Sequence, residues 1–114
     1  MKKTIMIMWL ITSLAYATDF DEILRLAKEG DARAQANLGA HYSLSGEYEK
    51  AFKWYKKSAQ QGNALGQNNL GAMYQNGYFI TKNTKEAFKW YMKSAQQGDE
   101  RGRTAEEAEA QAST

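Results

Sequence analysis

After residue 17 the apolar positions recur every three or four residues, the spacing of amphipathic helices. Phe20, Ile23, Leu24 and Ala27 form one stripe, and Ala34, Leu38 and Tyr42 form the next. Ala51, Phe52, Tyr55, Ser58 and Ala59 mark the inward face of a third segment, with Lys53, Lys56, Lys57 and Gln60 turned to water. Leu70 and Tyr74 then restate Leu38 and Tyr42. The punctuation agrees with this periodicity. Thr18-x-x-Asp21 and Asp19-x-x-Glu22 read as capping boxes, Asp31 and Asn63 as caps, and Asn83-x-x-Glu86 as one more start. Gly30, Gly62 and Gly98 each follow a periodic run and read as helix stops. The chain has no proline to interrupt a helix.

Two stretches are nearly identical. AFKWYKKSAQQG (51–62) returns as AFKWYMKSAQQG (87–98), with only Lys56 and Met92 differing. Upstream, ARAQANLGAHY (32–42) aligns with ALGQNNLGAMY (64–74). Self-similarity at a period of about 36 residues is the signature of a solenoid. The expected fold class is all-α, an α/α-superhelical solenoid of helix-turn-helix repeats. Residues 18–30 form a leading helix, because Phe20 precedes Gly30 as Phe52 precedes Gly62 and Phe88 precedes Gly98. Residues 31–62 are repeat one and 63–98 repeat two, with Phe79 and Ile80 tucked under the second connector. In residues 99–114 the pattern fails: Glu106 and Glu107 stand where Leu70 and Gly71 would recur. That segment is either a degenerate, polar capping helix, as solenoid ends require, or a tail.

Gly39 and Gly71 sit inside helices, where glycine costs roughly 1 kcal/mol against alanine. Their recurrence implies close approach of a neighbouring helix. The core has to lean on large aromatics, namely Phe52, Trp54, Tyr55, Phe88, Trp90 and Tyr91. Two repeats are fewer than the three such a stack normally needs, so marginal stability and self-association through an uncapped end are expected.

The first 17 residues differ in kind. Lys2 and Lys3 precede an apolar run from Ile5 to Leu14, followed by Ala15-Tyr16-Ala17. This pattern is expected to be a Sec-type signal peptide, cleaved after Ala17. The alternative is a retained anchor or a buried helix, but the run is shorter than the ~20 residues of a membrane span. Cleavage also changes the charge. The whole chain carries 15 basic and 13 acidic residues, and loss of Lys2 and Lys3 makes the two equal. A neutral domain offers no electrostatic argument for nucleic acid or for an anionic membrane. A periplasmic or secreted bacterial location is expected.

The motifs resemble those of the Sel-one-like repeat family, a branch of the tetratricopeptide-like solenoids. The residues that carry the resemblance are Ala34-x-x-x-Leu38-Gly39-x-x-Tyr42, Leu70-Gly71-x-x-Tyr74, the connector Gly77 to Ala87, and Trp90, Lys93, Ser94-Ala95 and Gly98. The connector departs from the family pattern at Phe79, where the family has a second glycine, at Asn83 for aspartate and at Glu86 for lysine. The first repeat lacks the long connector and looks like an ordinary tetratricopeptide repeat. What the resemblance implies is a protein-binding scaffold with its ligand on the concave face of the first helices. In tetratricopeptide relatives the asparagine before the Leu-Gly pair faces that groove. The matching residues are Asn37 and Asn69, with Arg33, Ala36, Ala40 and Ser43, then Leu65, Asn68, Ala72 and Gln75 as neighbours. The expected peptide-binding set is Arg33, Asn37, Asn68, Asn69 and Gln75. An amide both donates and accepts, so it can grip a peptide backbone whatever its sequence. Arg33 suits a carboxylate.

Catalytic chemistry has little to work with. His41 is the only histidine, it aligns with Met73, and there is no cysteine, which leaves no zinc site. No serine has a lysine three residues on, so the β-lactam chemistry linked to cysteine-rich relatives is not carried over. Trp54, Tyr55, Trp90 and Tyr91 are read as packing residues rather than a sugar site, and the second-helix lysines as a solvated face. The expectation is an exported scaffold or adaptor for a protein or peptide, not an enzyme, with no cofactor, no metal, no nucleic acid partner and no membrane contact after cleavage. The alternatives are a periplasmic hydrolase acting on peptidoglycan or β-lactams, and a truncated repeat fragment without its own function.

Overall fold

The computed structural model describes residues 19–112, and mostly as backbone beyond 98. The expected signal peptide and Thr18 lie outside the described residues. Five helices follow one another, with no strand among the described residues: α1 (19–28), α2 (Ala32–Leu44), α3 (Tyr48–Gln60), α4 (Ala64–Asn76) and α5 (Thr84–Ala112).

The starts of α2, α4 and α5 are fixed by side-chain caps. The Ala34 N–H donates to Asp31 Oδ1 at 2.8 Å, Gly66 N–H to Asn63 Oδ1 at 2.9 Å and Glu86 N–H to Asn83 Oδ1 at 3.1 Å. Each satisfies an orphan donor of a first helical turn and contributes about 1 kcal/mol. Reversal after α3 depends on Gly62, whose φ of 88° is a left-handed conformation open to glycine.

Antiparallel pairs α2–α3 and α4–α5 stack through α3 and α4, and α2 also touches α4. One core cluster joins Ala27, Ala34 and Leu38, with Phe20, Ile23, Leu24 and Trp54 against it. The other joins Ala51, Tyr55, Ala59, Leu70 and Met73, with Phe52, Tyr74, Ile80 and Trp90 against it. Gly39 and Gly71 do serve close approach. A Cβ on Gly39 would fall 2.6 Å from Tyr55 Cδ1, and one on Gly71 3.0 Å from Tyr91 Cδ1.

A polar ladder repeats inside this apolar stack. Gln35 Nε2 donates to the Ala27 carbonyl at 3.1 Å and accepts from Gln61 Nε2 at 2.7 Å. One repeat on, Gln67 Nε2 donates to the Ala59 carbonyl at 3.4 Å and accepts from Gln97 Nε2 at 2.8 Å. Ser58 and Ser94 hydroxyls donate to the Ala32 and Ala64 carbonyls at 2.7 and 2.9 Å. These bonds tie each first helix to the second helices on either side. They satisfy groups that burial would otherwise penalise.

Three expectations need correction. The last helix does not stop at Gly98 but runs on to Ala112. After Gly30 and Gly62 the chain turns back because the next helix has Leu38 or Leu70 to bury. After Gly98 those positions hold Glu106 and Glu107, and reversal would press carboxylates onto α5. The segment is rich in alanine, glutamate and arginine, which favour helix on propensity alone. Phe88 is not a core residue: its side chain is 65% exposed. Phe79 is not tucked under its connector either, although Ile80 is; Phe79 is 53% exposed.

Candidate functional site

The first helices α2 and α4 lie side by side and carry the expected binding residues. Arg33, in the first turn of α2, is exposed and borders a recess of about 360 Å³ with Asn63, Ala64 and Leu65 at the start of α4. Asn37 and Asn69 occupy equivalent positions one turn or more further along and are half-buried. Asn68 is exposed. Among the described residues, none of Arg33, Asn37, Asn68 and Asn69 hydrogen-bonds or ion-pairs through its side chain. Their donors and acceptors are left to solvent or a ligand.

Gln75 stands apart. Its Oε1 accepts the Tyr91 hydroxyl at 2.7 Å, and it lines a separate 170 Å³ hollow with Thr84, Ala87, Phe88 and Tyr91. Ala36, expected beside the groove, is completely buried. Its counterpart Asn68 is exposed because no further first helix follows α4 there. Ala40, Ser43 and Ala72 are half-buried, and Leu65 is exposed.

The lysine face is as the periodicity indicates: Lys53, Lys56, Lys57, Lys85, Lys89 and Lys93 are all exposed. Two of them cover the tryptophans, with Lys57 Nζ 4.7 Å from the Trp54 ring centre and Lys93 Nζ 4.6 Å from that of Trp90. Such cation–π contacts contribute about 0.5–1 kcal/mol at exposed sites. His41 is exposed and makes a T-shaped contact with Phe20, at 5.7 Å between ring centres. No group of metal-ligating side chains gathers among the described residues. No described helix is long and apolar enough to cross a membrane.

One feature of the surface escapes the periodicity. Where the α2–α3 turn meets the α4–α5 connector, Gly46, Glu47, Tyr48, Glu49, Lys50 and Phe79 line a hollow of about 440 Å³. The Lys50 ammonium and the Ser45 hydroxyl hold the Glu47 carboxyl below its usual range. The signal for this region was Phe79 itself, standing where the resemblance has glycine.

Among curated proteins, a comparison finds no match. Among solved structures, the chain is similar to c5321, a protective antigen present in uropathogenic Escherichia coli strains displaying an SLR fold. The two share 38% identity over 69% of this chain, with a TM-score of 0.66. It is also similar to a Sel1 repeat protein from Oxalobacter formigenes, at 34% identity over 79% of this chain and a TM-score of 0.66. The chain spans 18% of the first protein's length and 39% of the second's. The Sel1 repeat profile matches residues 32–63 and 64–99. Paired helices stacked through α3 and α4, glycines seated under Tyr55 and Tyr91, and this twofold match place the chain in the Sel1 repeat family.

Proposed function

We propose that this Sel1 repeat scaffold is an exported adaptor that holds an extended stretch of a partner protein across α2 and α4. One observation carries the reading. Asn37 and Asn69 sit at equivalent positions on adjacent helices, half-buried, with neither side-chain amide paired among the described residues. Two amides in register suit a peptide backbone, which offers a donor and an acceptor at every residue. Arg33 adds a planar cation for a partner carboxylate. Gln75 is left out of this set, because Tyr91 already occupies its carbonyl oxygen. Sel1 repeat proteins generally act as non-catalytic scaffolds, and neither His41 nor any other described side chain favours a hydrolase. Export to the periplasm or beyond is part of the proposal and rests on the basic and apolar N-terminus.

The test is a crosslinking pull-down from periplasmic extract with the protein as bait, against an Asn37→Ala/Asn69→Ala variant of equal helicity. A partner held by the wild type and lost by the variant is the expected result. Equal capture by both overturns the placement of the site on α2 and α4. The exposed Phe88 and Met92 at the far end support a further proposal, that two copies associate there; Phe88→Ser is expected to shift elution on size exclusion to the monomer.

A further inference from the structure

Phe79 is the one non-glycine residue with left-handed backbone among those described, at φ 69°. A bulky side chain there is a genuine outlier, because its Cβ crowds the carbonyl. Such strain persists only where something else holds or uses it. Burial does not account for it, because the ring is 53% exposed and leans on Phe52 with a centroid distance of 5.8 Å. Its neighbour Tyr78 is 43% exposed and lies flat on Tyr48, at 4.6 Å and 9°. The α4–α5 connector thus presents two aromatic rings to solvent beside the 440 Å³ hollow, with half-buried Tyr48 at the start of α3 opposite them.

The charges around the hollow select its occupant. Glu47 and Glu49 both line it, against the single ammonium of Lys50. That ammonium is committed to Glu47 at 3.2 Å and lies 5.3 Å from the Tyr42 ring centre. Glu49 is paired with Lys53 at 3.5 Å, in an exposed contact. Exposed pairs of this kind are weak and exchange readily for a better partner. An anion entering the hollow meets two carboxylates, and a neutral apolar group uses the rings alone. A cation uses both the carboxylates and the negative faces of the rings. A guanidinium does so best, because it is planar, stacks on aromatic faces and bonds carboxylates through a fork.

We propose that the hollow between Tyr48 and Phe79 is a docking site for an extended peptide segment carrying arginine, with the guanidinium against the exposed rings and between Glu47 and Glu49. This surface is separate from the Asn37–Asn69 face, so either site can fail without the other.

The experiment is an NMR titration of the full 15N-labelled chain at low salt. The probes are two capped pentapeptides, acetyl-Gly-Arg-Pro-Arg-Gly-amide and the same peptide with glutamate for both arginines. The expected result is amide shifts at residues 46–50 and 78–80 with the arginine peptide and none with the glutamate peptide. Glu49→Gln is expected to weaken the response. Phe79→Gly is the decisive variant, because glycine adopts this φ without strain. It is expected to weaken binding about tenfold or more, the loss typical of a dominant interface side chain, while leaving Tm unchanged or raised. Equal shifts with both peptides, or none, overturn the proposal. So does a Phe79→Gly variant that melts earlier yet binds as before, since the ring would then be a packing residue.

Discussion

Phe52 and Phe88 stand in near-identical sequence, yet one is packed and the other is bare. Phe52 meets the edge of Tyr74 at 5.9 Å, and Phe20 meets Tyr42 in the same way at 6.4 Å. In both cases the tyrosine comes twenty-two residues after the phenylalanine. Counting on from Phe88 in the same way reaches Ala110. The aromatic partner is missing from the sequence, and α5 carries that segment straight on instead of folding it back. Other pairs of positions follow the same rule. Tyr55 is buried and Tyr91 half-buried; Ala59 is buried and Ala95 exposed; Ala36 is buried and Asn68 exposed. A solenoid helix has its inner contacts written in its own repeat and its outer contacts written in the next one. Identity of sequence therefore does not give identity of environment.

The comparison can be broken most sharply at the residues the two repeats share fully. Leu38 and Leu70 are both enclosed. Leu38→Ala and Leu70→Ala are each expected to cost about 3 kcal/mol, the transfer and cavity cost of a buried leucine. Urea melts in which either variant unfolds in two steps or with a reduced m value would show that the two repeats do not share one cooperative core. The aromatic pair comes next. Phe52→Ala is expected to cost about 2 kcal/mol, less than a fully buried ring, and Phe88→Ala, in the dilute monomer, to stay within about 0.5 kcal/mol, as for an ordinary surface position. Equal losses in dilute thermal melts would mean that Phe88 is covered within a single copy.

A smaller contrast lies at the glycines. Gly39→Ala drives a methyl into the buried Tyr55 ring and is expected to cost about 1–2 kcal/mol by overpacking. At Gly71 the approach is looser, 3.0 Å to the half-buried Tyr91 ring and 3.2 Å to the Ala87 carbonyl, so a shift of a few tenths of an ångström accommodates a methyl. Gly71→Ala is expected to be nearly neutral, because the gain in helix propensity of roughly 1 kcal/mol offsets the strain. The smallest effect is on pH dependence. Burial pushes the Tyr55 hydroxyl above its usual range, against a lowering by Ser43, and burial followed by Glu86 does the same for Tyr74. A raised folded-state value means that the unfolded chain loses its proton first. The stability is complete below the unfolded tyrosine value and falls as pH rises through the folded one. Tyr55→Phe is expected to flatten this alkaline loss in chemical melts at stepped pH.

Much of this was legible in the residues. The helix starts at Asp31, Asn63 and Asn83 follow from side chains that reach their own backbone, a local matter needing no tertiary contact. The Leu38 and Leu70 core follows from periodicity. Gln35 and Gln67 were not legible, because glutamine is usually solvated and an apolar stripe passes over it. Their burial depends on a carbonyl supplied by a different helix, eight residues back, at the reversal of the chain. The bond from the Tyr91 hydroxyl to Gln75, sixteen residues back, was not legible for a related reason: its donor lies on a different helix.

By itself, then, the sequence determined the helix starts at Asp31, Asn63 and Asn83, the repeat and the family, because all of these depend on spacing within about one turn or one period. Tertiary structure alone decided which copies of a repeated residue are covered and that Phe79 holds its ring in solvent. Those outcomes depend on whether a neighbouring helix is present to take up apolar surface, and that is a property of the stack rather than of any one segment.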